Sequence, residues 1–143
     1  MKVLLLAAIM AFGLLGTDGA KWNLDRMILK AVGREAASAF GDYGCNCGYR
    51  QKGAPVDATD RCCAAHNCCY RRAANVGCKT KETLYKIDYH WKDIKCSPQD
   101  YCPAQVCECD KALAHCFAVH KSSYNRKYQY YSERNCRGVS PKC

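Results

Sequence analysis

Fourteen cysteines in a 143-residue chain constrain its fold more than any other feature, and four of them form two adjacent pairs, Cys62-Cys63 and Cys68-Cys69, that bracket His66-Asn67. The others stand at 45, 47, 78, 96, 102, 107, 109, 116, 136 and 143. An even count at this density in a small chain implies seven disulfides, each stabilising by about 2–4 kcal/mol. Zinc is the competing use, since Cys45-x-Cys47 and Cys107-x-Cys109 have the spacing of ligand pairs. Adjacent Cys-Cys pairs, however, do not suit tetrahedral ligation, and zinc thiolates do not suit an oxidising compartment. Spacing alone leaves the connectivity open.

The first residues set that compartment. Met1-Lys2, an apolar run from Val3 to Leu15 and the small residues Gly16-Thr17-Asp18-Gly19 have the layout of a cleaved secretory signal. The apolar run is too short to span a bilayer. Residues 1–19 are read as signal peptide and 20–143 as a single domain, secreted and extracellular. The chain carries 22 Lys+Arg against 13 Asp+Glu, net +9. Basic residues recur at Arg71-Arg72, Lys79, Lys81, Lys121, Arg126-Lys127, Arg134, Arg137 and Lys142. An exported basic protein meets anionic phospholipid membranes, heparan-type polysaccharides or a receptor, and no nucleic acid. Each basic side chain near an anionic bilayer contributes about 1 kcal/mol. No Asn-x-Ser/Thr triplet is present, so N-glycosylation is not expected.

The secondary-structure pattern is mainly α. Leu24, Met27-Ile28 and Ala31 recur at helical spacing and predict an amphipathic first helix over 22–39. Gly41, Gly44, Gly48 and Gly53 mark a loop over 41–53. Residues 55–60 read as an extended approach, with Thr59 or Asp60 as N-cap of a second helix ending near Asn75. Alternation through Leu84, Tyr85, Ile87, Tyr89 and Trp91 predicts a small two-stranded excursion over 83–91. A third helix is expected over 105–120, followed by an irregular, tyrosine-rich tail.

Cys62, His66, Cys69 and Tyr70 fall at i, i+4, i+7 and i+8, on one face of the second helix. Were Cys69 bonded to Cys109, Asp110 would come within reach of His66. A carboxylate against a histidine orients the ring for base work, and a purely structural His–Asp bond fits the same spacing. At this point the chain resembles the secreted phospholipases A2. The resemblance rests on Tyr43-Gly44-Cys45-x-Cys47-Gly48, on Asp60-x-Cys62-Cys63-x-x-His66-x-Cys68-Cys69-Tyr70 and on Cys107-Glu108-Cys109-Asp110. Its tail, Tyr124-Asn125-x-Lys127-Tyr128-x-Tyr130-Tyr131 with Cys143, is similar to the basic, membrane-associated group II type. The resemblance implies a disulfide-rich phospholipase A2 fold with an amphipathic N-terminal helix, a calcium-type loop, two long antiparallel disulfide-linked helices, a small β-wing and a C-terminal extension. It implies the bridges Cys45–Cys136, Cys47–Cys63, Cys62–Cys116, Cys68–Cys143, Cys69–Cys109, Cys78–Cys102 and Cys96–Cys107.

The implied chemistry is hydrolysis of a phospholipid sn-2 ester. His66 would deprotonate the attacking water, Asp110 would orient His66, and Tyr70 and Tyr85 would hydrogen-bond to Asp110. Ca2+ and the Gly48 N–H would stabilise the oxyanion. The family's ion is held by loop carbonyls, here those of Asn46, Gly48 and Arg50, and by an aspartate at the position of Asn67. Asn67 offers a neutral amide there. Where the family loop continues with glycines, this chain has Arg50 and Gln51. A side chain forced into left-handed backbone costs about 1–2 kcal/mol, and Arg50 adds positive charge. Calcium binding is therefore expected to be weak or absent, with the Arg50 guanidinium standing in the cation's place.

The leading expectation is a phospholipase A2-like protein that binds anionic phospholipid through its basic patches and a rim of Trp22, Leu24 and Met27, with hydrolysis impaired. The alternatives are an active or weakly active Ca2+-dependent phospholipase A2, and a non-catalytic ligand of a receptor or toxin. A monomer or weak dimer is expected. Lys21 and Leu24 replace the leucine and aromatic that usually line the acyl channel, with Trp22 in the same rim.

Overall fold

The computed structural model describes residues 19–91 and 93–143. Residues 1–18, which carry most of the expected secretory signal, lie outside the described residues. Helix α1 spans Gly19–Val32, α2 Ala36–Phe40, α3 Ala58–Asn75 and α4 Tyr101–Val119, with strands β1 Ile87–His90 and β2 Asp93–Cys96 between α3 and α4. Among the described residues no helix is long and apolar enough to cross a membrane.

The first helix is shorter than expected. It ends at Val32 because Gly33 takes a left-handed φ of 76° and donates its N–H to the Leu29 carbonyl at 2.9 Å, the usual glycine stop. The chain resumes as the single turn and a half of α2. Helix α3 begins before the expected N-cap. Asp57, in extended backbone, caps it through its carboxylate, which accepts from the Asp60 N–H at 2.7 Å. Helix α4 also starts early, at Tyr101, because Pro103 sits in the first turn, where a missing N–H loses no hydrogen bond.

The expected strand run over 83–91 supplies only β1. Its antiparallel partner is β2, with Ile87 opposite Cys96 and His90 opposite Asp93. Residues 91 and 92 connect the two strands. Two-residue hairpins favour left-handed backbone, and Trp91 adopts it with φ 57°. The tail is irregular apart from single 3₁₀ turns at Lys121–Ser123, Arg126–Tyr128 and Glu133–Asn135.

The seven bridges of the structure are Cys45–Cys136, Cys47–Cys63, Cys62–Cys116, Cys68–Cys143, Cys69–Cys109, Cys78–Cys102 and Cys96–Cys107, the pairs that the resemblance implied. Two of them set the direction of the long helices. Advancing seven residues along α3, from Cys62 to Cys69, moves the partner back seven along α4, from Cys116 to Cys109. The helices are therefore antiparallel and locked in register. Met27, Ile28 and Val32 of α1 join Val106, Leu113, Ala114 and Phe117 of α4 in the core, where Phe40 stacks on Phe117 with ring centroids 4.0 Å apart.

Candidate functional site

The locked register determines what faces what. His66 lies between Cys62 and Cys69 on α3, and Asp110 follows Cys109 on α4, so the bridges bring the two side chains together. His66 Nε2 stands 2.7 Å from Asp110 Oδ1. A carboxylate only accepts, so Nε2 carries a proton and donates it, an arrangement that in the neutral ring leaves the lone pair on Nδ1. Tyr70 donates its hydroxyl to the same Oδ1 at 2.6 Å, and Tyr85 donates to Oδ2 at 2.7 Å. Asp110 is fully buried, so three donors replace the water it lacks. Burial, reinforced by the Asp110 charge and hydrogen bond, pushes both phenols well above the ordinary tyrosine range, and they stay protonated donors.

Several supporting residues were not foreseen. Asn23, buried on α1, accepts the Tyr85 N–H at 3.2 Å and ties the first helix to the site. Asp60, first read as a possible cap, is fully buried. Its carboxylate accepts the backbone N–H groups of Cys45, Asn46 and Val56 at 2.9, 2.8 and 2.9 Å. A Cβ on Gly44 would strike that carboxylate. Asp57 caps α3 with one oxygen and accepts the Tyr43 hydroxyl on the other at 2.6 Å. The signal for both was Asp57-x-x-Asp60 at a helix start, a pattern that shows a cap but not what the second carboxylate holds.

The calcium-type loop answers whether the residues present fit a divalent cation. Gly48 retains φ 74°, and a Cβ there would collide with the Gly41 carbonyl. Asn67 donates its Nδ2 to the Asn46 carbonyl at 2.9 Å, so one implied ligand oxygen already serves an internal hydrogen bond. The expected strain is absent. Among the described residues only Trp91 and Tyr130 are non-glycines with positive φ, so Arg50 and Gln51 sit in ordinary backbone. Arg50 Nη2 lies 3.2 Å from Asp42 Oδ1, in an electrostatic contact without hydrogen-bond alignment. The implied donor set is thus the carbonyls of Asn46, Gly48 and Arg50 with a neutral amide whose N–H faces the loop, and it contains no carboxylate, the ligand charge on which Ca2+ affinity depends. Among the described residues one other group has metal-like proximity, Cys62, Cys116 and His120, and its two sulfurs are spent on a disulfide.

The family model described as Phospholipase A2 matches residues 21–129, the loop, both long helices and the hairpin included. The chain belongs to the phospholipase A2 family. It is 53% identical over 141 residues to human "Phospholipase A2, membrane associated", covering 99% of this chain and 98% of that protein. The rat protein of the same name is 49% identical over the full length of both. "Basic phospholipase A2 homolog 2" of Bothrops asper is 44% identical over 131 residues, 90% of this chain and 93% of that one. Phospholipases A2 act on phospholipid membranes and in general depend on Ca2+.

The expected membrane rim is redistributed. Trp22 is half-exposed and Leu24 half-buried, but Met27 is fully buried and belongs to the core. Helical spacing put the three on one side without saying how far the core reaches around it. The recurring basic residues from Arg71-Arg72 through Lys79, Lys81, Lys121, Arg126-Lys127, Arg134 and Arg137 to Lys142 are all exposed. An open groove of about 510 Å³, lined by Arg34, Ser38, Tyr124, Arg126 and Gln129 among others, contains none of His66, Tyr70, Tyr85 and Asp110.

Proposed function

We propose that this protein is a secreted phospholipase A2-type protein that binds anionic phospholipid surfaces and hydrolyses the sn-2 ester poorly, because it holds calcium weakly or not at all. The observation that carries this is the Asn67 Nδ2 hydrogen bond to the Asn46 carbonyl. His66, with Asp110, Tyr70 and Tyr85 behind it, retains a base able to take a proton from water at Nδ1. Of the oxyanion stabilisers, the Gly48 N–H remains. Losing one such stabiliser costs about 100- to 1,000-fold in turnover, so hydrolysis falls at least that far below calcium-loaded relatives. The intact base network favours a second reading, a weakly active Ca2+-dependent enzyme.

Calorimetric titration with Ca2+, run beside hydrolysis of anionic vesicles, separates the two. The expected result is no binding heat through the millimolar range and turnover indifferent to calcium. Calcium binding with calcium-stimulated turnover would overturn the first reading. Binding to vesicles should weaken steeply with salt, because screening shortens the reach of the exposed basic residues. Binding that ignores salt would remove the electrostatic part of the proposal and favour a receptor-type ligand.

A further inference from the structure

The β1–β2 hairpin lies outside the catalytic network, and its tip carries an indole that is 98% exposed. Trp91 is unfavourable there twice over. It is a large apolar ring in water, and a bulky side chain in left-handed backbone at φ 57°. Two residues back along the strand, Tyr89 lies beneath two cations. The Arg26 guanidinium is 5.9 Å from its ring centroid and the Lys30 ammonium 5.5 Å. Arg26 also stands 5.0 Å over the half-exposed ring of Trp22. One aromatic–cation stack therefore joins α1, from Trp22 to Lys30, to the hairpin.

We propose that Trp91 is a second membrane anchor, entering the headgroup boundary of an anionic phospholipid bilayer alongside Trp22, with Arg26 and Lys30 meeting the lipid phosphates. This deepens the surface-binding reading above and rests on it. Tryptophan prefers the headgroup region, where its ring is apolar and its N–H is wet, and basic side chains are drawn to the same plane. A sulfated polysaccharide offers no apolar layer, so it gains little from a fully exposed indole at the hairpin tip, whereas a bilayer's headgroup boundary takes up such a ring.

The chain has two tryptophans, so each can serve alone as a reporter. Trp22→Phe leaves Trp91, and Trp91→Phe leaves Trp22. On phosphatidylglycerol vesicles the Trp91 emission should shift to the blue and be quenched by brominated acyl chains. Trp91→Ala should weaken vesicle partitioning about tenfold. Trp91→Gly, which suits the left-handed backbone and so keeps the hairpin, should give the same loss. Trp91 emission that stays water-like on vesicles that the Trp22 reporter binds would overturn the proposal and leave the surface-binding reading standing. No response from either reporter, with no co-sedimentation, would overturn both. A Trp91 response to heparin fragments but not to vesicles would overturn the bilayer in favour of a polysaccharide.

Discussion

Replacing Asn67 by aspartate tests the calcium argument without assaying catalysis. The Asn67 amide N–H now meets the Asn46 carbonyl at 2.9 Å. In Asn67→Asp that donor becomes an oxygen, so two acceptors face each other. The lost hydrogen bond is worth about 1 kcal/mol, and placing a carboxylate against a carbonyl dipole adds a similar amount. Without calcium the variant should be about 2 kcal/mol less stable, lowering Tm by about 6–10 °C for a chain of this size. Adding millimolar calcium should restore part of this, because the variant now has an anionic ligand and binding to the native state alone stabilises by mass action. Differential scanning calorimetry of both proteins, in chelator and in calcium, reads all four values. Turnover should rise only in part, because the Arg50 guanidinium on Asp42 still places positive charge in the loop. A native Tm that climbs with calcium would refute the reasoning. So would a variant as stable in chelator as the native protein.

Two further perturbations follow from buried carboxylates. Asp60→Ala should cost about 3 kcal/mol or more in urea unfolding with the disulfides intact, since it orphans three backbone donors at once; a loss under about 1 kcal/mol would mean that water replaces the carboxylate. Asp25 has its pKa raised, first by burial, against the pull of Lys21 and with help from Glu35 and Asp110. A raised carboxylate pKa means that the native state binds the proton more tightly, so Asp25 contributes stability below the ordinary carboxylate range and loses it as pH climbs through the folded value. Asp25→Asn should therefore raise Tm at neutral pH relative to the native protein, with the difference shrinking on acidification. A difference that grows on acidification would contradict the assignment.

The readable parts of this chain are those where one residue type at one spacing has a single physical use. Cys62-Cys63 and Cys68-Cys69 around His66 are of that kind, and the antiparallel register of α3 and α4 follows from their bridges. Met27 is the opposite case, because helical periodicity identifies a face but not whether the core or the solvent covers it. The hairpin was half-legible. Alternation through Ile87 and Tyr89 is visible, while β2 alternates with charged Asp93 and Lys95 and turns only Ile94 fully inward. Asp60 was hidden because its partners are backbone amides of a loop, which leave no trace in side-chain pattern. Arg50 misled for a different reason: a glycine-poor loop need not be strained, since it can settle into backbone that any residue adopts.

The four cysteines of α3 have a topological consequence. They reach the calcium-type loop at Cys47, α4 at Cys116 and Cys109, and the tail at Cys143, while Cys45 reaches the tail at Cys136. The segment between Cys136 and Cys143 is thus closed at both ends onto the rest of the molecule, although it has no regular secondary structure. A protease that cuts there adds the mass of one water and liberates nothing, so a nicked chain keeps its basic tail until a reductant opens the mesh. A chain with this wiring gives up its tail to reduction, not to trimming.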